Sequence, residues 1–259
     1  MLAIRTFGGI QLSYNDKLIG KGISRKSQAM LIYLAITERA ASREFLGELF
    51  WEGLPQSRSL NNLRVSLAQL RKHLPDSLII ERFSVAFNPA SESWLDVNDF
   101  NQAAADGDTD DALRLYQGDF LEGTHLRGCR EFEQWVVTEQ EILRQKMITT
   151  LQRKVNNCID SGRYLQGLTY VRRLLDINPL LESAHRQLMR LLAYENQRET
   201  ALTQYELCRE ILDDELGVEP SSETRELYQQ IQAGGIEAPA TPAAPPHNLL
   251  PQMTPFFGR

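Results

Sequence analysis

The stretch SRSLNNLRVSLAQLRKHL, residues 57–74, decides which fold the rest of the sequence is compared with. Its leucines are separated alternately by three and four residues, which places them in one stripe on an α-helix: Leu60, Leu63, Leu67, Leu70 and Leu74. The other face and its borders hold one valine, amides and basic side chains: Arg58, Asn61, Asn62, Arg64, Val65, Gln69, Arg71 and Lys72. Solvated helices usually mix both signs of charge, because opposite charges four residues apart stabilise them. A helix without any carboxylate therefore indicates a partner for its open face.

Length and composition predict a soluble protein. A chain of 259 residues, 42% of them hydrophobic, can form one or two domains with their own cores. No run approaches the roughly 18 apolar residues of a membrane span, and the start MLAIRTFGG lacks the regions of a signal peptide. We expect a cytoplasmic protein without membrane contact. Cys129, Cys158 and Cys208 are odd in number and far apart, so we expect small core residues rather than disulfides.

The net charge of −6 conceals an uneven distribution. Residues 1–90 contain 12 Lys and Arg against 7 Asp and Glu, a net charge of +5, whereas residues 91–259 contain 16 against 27, a net charge of −11. A basic first third followed by an acidic remainder is typical of a polyanion-binding head joined to another domain. The alternative is chance unevenness on two solvated surfaces.

The segments around residues 57–74 predict small strands and helices in a definite order. Residues 2–14 alternate apolar and other residues and lead into an Asn-Asp turn, which predicts short antiparallel strands. Residues 24–37 predict a first helix capped by Ser24, and residues 42–51 predict a second helix capped by Ser42. The apolar face of this second helix is expected to be Phe45, Leu46, Leu49 and Phe50. Residues 78–89, LIIERFSVAFNP, predict a hairpin turning around 82–84. This order is that of a winged helix-turn-helix.

A winged helix gives the open face of residues 57–74 a function, because the third helix of such a domain lies in the major groove. Amides can pair with adenine edges and arginines with guanine edges or phosphates, whereas a carboxylate is repelled by the duplex. We therefore predict that all eight residues of that face contact DNA, with Val65 against a thymine methyl group. Arg82, at the tip of the hairpin, is expected to reach phosphate or a minor groove, and Arg25 and Lys26 at the start of the first helix complete the set. The alternative is an exposed amphipathic helix that happens to lack acids.

From about Trp94 the pattern becomes helical. Residues 93–108 and 110–120 predict a helical pair with a turn at Gly107, and a long helix is predicted from Glu131 to Ile159. SGRYLQGL at 161–168 then recurs as ENQRETAL at 195–202, a spacing of 34 residues, which is the tetratricopeptide period.

The repeat predicts how its helices pack and end. Gly167 corresponds to Ala201, and a small residue there lets the two helices of a unit approach closely. Pro179 and Pro220 are expected to stop the second helix of each unit. The fold class is thus mainly α: a winged helix-turn-helix with a small β-sheet and wing hairpin at 1–93, then an all-α tetratricopeptide-like domain at 94–233. Residues 234–259 are rich in Pro and Ala and predict a linker.

The segments GISRKSQAMLIYLAI, SREFLGELFW and SLNNLRVSLAQLRKHL resemble the DNA-binding domain of SARP-type regulators, the Streptomyces antibiotic regulatory protein family, whose winged helix is similar to the OmpR type. The stretch from DVNDFNQA to ETRELYQQI resembles the bacterial transcriptional activation domain that follows it there. This resemblance implies an activator that binds double-stranded promoter DNA at direct repeats, with the repeat domain aiding dimerisation and contacts with RNA polymerase. Arg64, Arg71 and Lys72 match the arginine-rich recognition helix, and Trp51 matches an aromatic near the DNA backbone.

The final TPFFGR, residues 254–259, is similar to the start of the nucleotide-binding domain that larger members of that family carry, with Phe257 in place of the usual Val. We expect either a piece of a longer chain or a missing partner domain. The sequence contains no phosphate loop, so we expect no ATP binding and no other cofactor.

Enzymatic motifs are lacking from the sequence. It contains no GxxxxGK[ST], GxGxxG, GxSxG, HExxH or CxxC, and its four histidines stand more than fifty residues apart. We therefore expect no catalytic activity and no metal site. Two hypotheses remain: a sequence-specific DNA-binding transcription regulator, and an adaptor that binds only proteins through its repeats, with the winged helix as a docking module.

Overall fold

The computed structural model describes residues 1–19, 22–236 and 238, and the chain divides into two compact units, Met1–Thr150 and Leu151–Arg259. Most of the predicted linker, including TPFFGR, lies outside the described residues. The boundary expected between residues 93 and 94 falls inside the first unit. The assignment of separate domains to 1–93 and 94–233 stays a prediction.

The first unit has the element order expected of a winged helix-turn-helix. Strands β1 (Leu2–Arg5), β2 (Gln11–Tyr14) and β3 (Lys17–Leu18) precede α1 (Arg25–Thr37), β4 (Ala41–Ser42), α2 (Arg43–Phe50) and α3 (Gln56–His73). The wing hairpin β5 (Leu78–Ile80) and β6 (Ser84–Phe87) follows, and then come β7 (Ser93–Leu95), α4 (Asp96–Asp106), α5 (Thr109–Leu115) and α6 (Arg130–Asp160). The predicted fold class is confirmed, and α6 matches the predicted long helix to within one residue at each end.

Two small sheets frame the helices of this unit. The first has the strand order β3-β2-β1-β7 and the second has the order β4-β6-β5. Strand β7 pairs in parallel with β1, with Trp94 opposite Ala3. The expectation that residues 93–95 begin a helix was wrong, because the edge of β1 binds this segment as a strand and α4 begins only at Asp96.

The predicted caps of α1 and α2 are confirmed. The Ser24 hydroxyl accepts a hydrogen bond from the Ser27 amide at 3.1 Å, and the Ser42 hydroxyl accepts one from the Phe45 amide at 3.1 Å. The expected apolar face of α2 was wrong at Phe45, which is 40% exposed. Phe45 lies in the first turn of α2 beside Tyr33, with 6.3 Å between ring centroids, whereas the rest of that face is buried: Leu46, Leu49 and Phe50.

The leucine stripe of α3 forms the centre of the winged-helix core. Leu63, Leu67, Leu70 and Leu74 are buried, and Leu60 is half-buried. Burial of each leucine side chain contributes on the order of 1.5–3 kcal/mol. The same core contains the predicted inner face of α1, which is buried throughout: Met30, Leu31, Leu34 and Ala35.

A buried carboxylate joins the start of α4 to the end of β1. Asp96 Oδ2 accepts hydrogen bonds from the amides of Thr6, at 2.6 Å, and Phe7, at 3.1 Å, while Asp96 Oδ1 accepts one from the Thr6 hydroxyl at 2.8 Å. Thr6 and Asp96 are both buried. The carboxylate thus satisfies two backbone donors that water does not reach.

The second unit consists of paired helices. After the end of α6 it contains α7 (Tyr164–Ile177), α8 (Glu182–Tyr194), α9 (Arg198–Leu216) and α10 (Ser222–Gln232). Helices α7 and α9 begin 34 residues apart, which agrees with the predicted repeat. Pro179 and Pro220 are 41 residues apart, seven more than the repeat. Helix α9 has 19 residues against 14 in α7, which accounts for five of these seven, and the other two lie between the end of α9 and Pro220.

The prolines stop different helices from those expected. Pro179 follows α7 and Pro220 follows α9, and these are the first helices of the pairs α7/α8 and α9/α10. The assignment to the second helices was wrong, because the repeat begins with the helix that carries the small residue. Gly167 in α7 does lie where the helices are close: a Cβ there would stand 3.1 Å from Leu191 of α8 and 3.3 Å from Cys158 of α6.

His185 of α8 forms hydrogen bonds with the segment that precedes α8 and with α9. Its Nε2 donates to the Pro179 carbonyl at 2.8 Å, so its Nδ1 is the acceptor for the Gln204 amide of α9 at 2.7 Å. Burial lowers the pKa of His185, outweighing the Pro179 hydrogen bond and the Glu182 charge, which raise it. Burial and the two hydrogen bonds, in which one ring nitrogen donates and the other accepts, thus favour the neutral imidazole.

Among the described residues, none of the helices combines the length and the apolar composition that a bilayer crossing requires. Cys129, Cys158 and Cys208 are free and buried, as core residues would be.

Replacing Asp96 by Ala should lower the free energy of unfolding by about 3 kcal/mol, because the Thr6 and Phe7 amides lose their acceptor without gaining water. Urea denaturation of the full chain measures this loss. Asp106→Ala, at an exposed carboxylate of the same helix, is the control and should leave stability nearly unchanged. Equal stability of the two variants would contradict the structural role of Asp96.

Acidification from about pH 7.5 to 5.5 should lower the free energy of unfolding of the wild type more than that of His185→Gln, because the unfolded chain takes up the histidine proton at its ordinary pKa of about 6.5, a higher pH than the folded chain does. The folded-state pKa of His185 is lowered, so its stabilising contribution is present above that range and is lost as the pH falls. Urea titrations at several pH values compare the two proteins. Parallel curves would contradict the prediction.

Candidate nucleic-acid interface

The turn between α2 and α3 brings the two helices into close contact. Gly47 of α2 faces Ser59 of α3, and a Cβ on Gly47 would lie only 3.1 Å from the Ser59 hydroxyl oxygen. Gly53, at φ 78°, provides the left-handed residue in the connecting segment. This close approach leaves α3 little room to rotate about its own axis.

The N-terminus of α3 has features that favour an anion. Pro55 occupies the cap position, makes no side-chain cap hydrogen bond, and is followed by no acidic residue in the first turn. The helix dipole places partial positive charge at such an end, and its amides are suitable donors to phosphate. The last turn instead carries Arg71, Lys72 and His73, which complement the opposite end of the dipole.

The structure places the predicted face of α3 in solvent. Most of the predicted residues are exposed: Arg58, Asn61, Arg64, Val65, Arg71 and Lys72. Val65 is 53% exposed, in the middle of this polar and basic surface. Asn62 is half-buried, and neither Asn61 nor Asn62 has a side-chain hydrogen bond within the part of the chain that the structure describes. Their amide groups are therefore available to an external partner.

A shallow groove runs between the start of α1 and the face of α3. Six predicted residues line it, together with Ser24 and Ser66: Arg25, Lys26, Trp51, Asn62, Val65 and Gln69. The structure thus brings together residues from three separate segments of the sequence. The other predicted residues of α3 lie outside the groove, on the exposed surface of the same helix, and Arg82 lies apart from it on the wing.

Lys26 is oriented by the end of α2. Its Nζ donates to the Phe50 carbonyl at 2.6 Å and stands 5.7 Å from the centroid of the Trp51 ring. A cation at a helix C-terminus complements the dipole there. The ammonium group consequently lies at a fixed place beside Trp51 rather than on a freely moving side chain.

Gln69 is engaged within the protein, which the sequence did not indicate. Its Oε1 accepts hydrogen bonds from the Ser27 hydroxyl at 3.2 Å and from the Ser24 amide at 3.4 Å. A bidentate contact with adenine requires both the oxygen and the nitrogen of the amide. In this arrangement only the amide nitrogen of Gln69 remains for the predicted contact with DNA, which excludes a bidentate pairing with adenine.

The wing tip presents Arg82 beside an exposed aromatic ring. The Arg82 guanidinium lies 5.0 Å from the centroid of the Phe83 ring, and both side chains are exposed. Arg43, at the start of α2, fixes the tip, because its amide donates to the Phe83 carbonyl at 3.0 Å and its Nη1 donates to the Arg82 carbonyl at 3.5 Å. Sequence reasoning missed Arg43 and Phe83, although a basic residue directly after the cap Ser42 was a usable signal.

Comparison with known proteins identifies the class of this one. The structure has the elements of a winged helix, followed by tetratricopeptide-like helix pairs, as in the SARP-type transcriptional regulators that the sequence resembles. Residues 81–232 match the family described as the bacterial transcriptional activator domain, and the chain belongs to that family. The resemblance found in the sequence is thereby confirmed. The family and the named relatives are described as transcriptional activators or regulators.

Several curated relatives align with most of the chain. The regulatory protein AfsR of Streptomyces coelicolor is 28% identical over 219 residues, which is 80% of this chain and 22% of AfsR. The transcriptional regulator RedD of the same organism is 26% identical, over 83% of this chain and 66% of RedD. The transcriptional regulatory protein MoaR1 of Mycobacterium tuberculosis is 23% identical, over 86% of this chain and 77% of MoaR1. The chain spans about a quarter of the length of the AfsR proteins.

A solved structure has the same fold. The structure of Mycobacterium tuberculosis EmbR in complex with a low affinity phosphopeptide superimposes with a TM-score of 0.68 at 22% identity. The match covers 90% of this chain and 65% of that one. The similarity concerns the fold of the described units and agrees with the predicted architecture.

Proposed function

We propose that this transcriptional regulator is a sequence-specific DNA-binding activator that recognises the major groove with α3. The observation that carries the proposal is the exposed face of α3, which holds arginines, asparagines and Val65 without any carboxylate. Packing does not explain the composition of this surface, because its side chains contact little of the protein. It is suited to a polyanion with polar groove edges.

Each part of the surface has a role in this proposal. Asn61 and Asn62 pair with adenine edges, and Val65 contacts a thymine methyl group. Arg58, Arg64, Arg71 and Lys72 contact guanine edges or phosphates, while the uncapped N-terminus of α3 receives a phosphate. The groove residues Arg25, Lys26 and Trp51 follow the backbone beside the major groove, and Arg82 on the wing reaches phosphate or the adjacent minor groove.

We extend the proposal to partners. The helical repeats of the second unit serve dimerisation on DNA or contacts with RNA polymerase, since repeat helices commonly form concave binding surfaces. A homodimer bound to direct repeats near a promoter fits this arrangement. A nucleotide-binding domain in a longer chain is a further partner in this proposal: the resemblance of TPFFGR supports its kind, and the greater length of the AfsR proteins leaves room for it. A cytoplasmic location follows from promoter binding.

Selection from pooled fragments of the source genome is the direct test. The full chain should enrich a repeated motif, and the logarithm of the affinity for that motif should fall with the logarithm of the salt concentration by roughly 0.9 per phosphate contact. Steep salt dependence without enrichment would indicate a nonspecific basic head. No binding at any salt concentration, together with retention of a protein partner, would favour the adaptor function instead.

Combined replacement of Arg64, Arg71 and Lys72 by Ala should reduce affinity for the enriched duplex by at least about a hundredfold, since base and phosphate contacts are lost together. These side chains are exposed, so cooperative unfolding should persist. Fluorescence anisotropy measures the affinity. The control is the triple replacement of Arg153, Arg172 and Arg190, exposed arginines elsewhere in the chain, which changes the net charge equally. Equal losses in both triple variants would contradict a site on α3.

Val65→Glu should abolish specific binding without loss of stability, because it places a carboxylate in the middle of the face that meets DNA. Val137→Glu, at a valine of α6 that is 63% exposed, is the matched control and should bind normally. Anisotropy and thermal unfolding are compared for both variants. Normal binding by Val65→Glu would contradict the prediction that Val65 contacts DNA.

A further inference from the structure

The carbonyl group at the end of α2 is shared by two donors from distant parts of the chain. Phe50 O accepts from Lys26 Nζ at 2.6 Å and from the Cys129 thiol at 3.1 Å. Burial raises the pKa of the Cys129 thiol, so it stays protonated and can donate. Aromatic packing also holds the end of α2 against α6, since the Phe50 and Phe132 ring centroids are 5.0 Å apart.

Glu52 connects the same turn to the residues that lead into α6. Its amide donates to the Gly128 carbonyl at 3.1 Å, and its Oε2 accepts from the Arg130 amide at 3.2 Å. Its Oε1 also forms an ion pair with Arg130 Nη2 at 3.2 Å. Together with Cys129, these residues form a clasp, defined as Gly128, Cys129 and Arg130, on the turn that follows α2.

The clasp holds the residues on either side of Trp51. Trp51 lines the groove beside α3, and its neighbours Phe50 and Glu52 carry every contact described above. Lys26, whose ammonium group lies beside the Trp51 ring, donates to the same Phe50 carbonyl. The position of two groove side chains is thus tied to the start of α6, the helix that continues into the second unit.

We propose that the clasp positions Trp51 and Lys26 for the DNA backbone, which makes Glu52 a positioning residue for DNA binding. This inference rests on the proposed function. Glu52 does not touch DNA in this arrangement. It acts through the turn that it fixes.

Replacing Glu52 changes both the charge beside the DNA and the position of Trp51 and Lys26. Removing a carboxylate near a polyanion should, by charge alone, raise the affinity for DNA. Loss of the fixed positions of Trp51 and Lys26 should lower the affinity for DNA. The two effects of replacing Glu52 therefore have opposite signs.

The experiment measures binding of the full chain to the duplex enriched by genomic selection. If no duplex is enriched, a random-sequence duplex is used. Glu52→Ala should bind about fivefold more weakly, and its salt slope should decrease by about 0.9, the value of one lost phosphate contact. Glu48→Ala is the matched control: Glu48 is an exposed carboxylate of α2 without a side-chain partner among the described residues, and its variant should bind as well as the wild type or better.

A second pair of variants keeps the test independent of folding. The Arg130 side chain is 82% exposed, so Arg130→Ala should fold normally while losing the ion pair to Glu52. It should bind DNA more weakly than Arg127→Ala, which removes the same charge three residues earlier at an exposed position. A salt slope that changes in Arg130→Ala but not in Arg127→Ala distinguishes positioning from a general loss of charge.

The outcomes separate the two proposals. If Glu52→Ala binds as tightly as Glu48→Ala, and Arg130→Ala as tightly as Arg127→Ala, the clasp has no positioning role and the DNA-binding function stands. If the wild type binds no duplex, the proposed function fails and this inference fails with it. Weaker binding and lower salt slopes confined to Glu52→Ala and Arg130→Ala support the clasp.

Discussion

The packing of one face of α3 against α1 and α2 is the constraint on which the candidate interface depends. Leu63, Leu67 and Leu70 are buried, and at about 100° per residue the opposite side of the helix must then face outward. The contact between Gly47 and Ser59 fixes the distance between α2 and α3. The outward residues therefore contribute little to the core, and their composition needs an explanation in binding rather than in stability.

This packing is supported by residues well beyond the wing. Strand β7 covers an edge of β1 that would otherwise present unpaired backbone groups, and Asp96 satisfies the amides at the end of the same strand. Cys129 and Glu52 join the end of α2 to the start of α6 in the same unit. A winged helix cut at residue 93 would lack these contacts. The compact unit consequently extends to Thr150.

Features set by local pattern were predictable from the sequence. The leucine stripe, the caps Ser24 and Ser42 and the repeat of 34 residues all depend on spacing over a few turns or on direct self-similarity. Strand β7 was not predictable, because three residues carry too little pattern and their pairing partner lies about ninety positions earlier. The prolines were placed on the wrong helices, because spacing gives the period of a repeat but not which helix begins it.

The candidate site likewise combines features that the sequence predicted with contacts that it did not indicate. Periodicity alone placed the residues of α3 on one face, and the structure finds most of them exposed. It did not indicate that Gln69 binds Ser24 and Ser27, or that Lys26 donates to Phe50, because these hydrogen bonds join residues at least 24 positions apart. A polar residue on an outward face can serve either the protein or its partner, and only the tertiary contacts decide.

The charge of the chain limits how such a site can work. With a net charge of −6, the whole molecule is not drawn to DNA by its overall field, and screening at physiological salt confines the attraction to about 8 Å around each basic group. In the proposed interface, the basic side chains of α3 and the wing therefore act at short range, on the phosphates and base edges that they reach directly. In the proposed interface, discrimination between sequences comes from the groups that match base edges: Asn61, Asn62 and Val65 for adenine and thymine, and the arginines of α3 where they reach guanine. The basic side chains that contact phosphates instead set the orientation of the helix on the duplex.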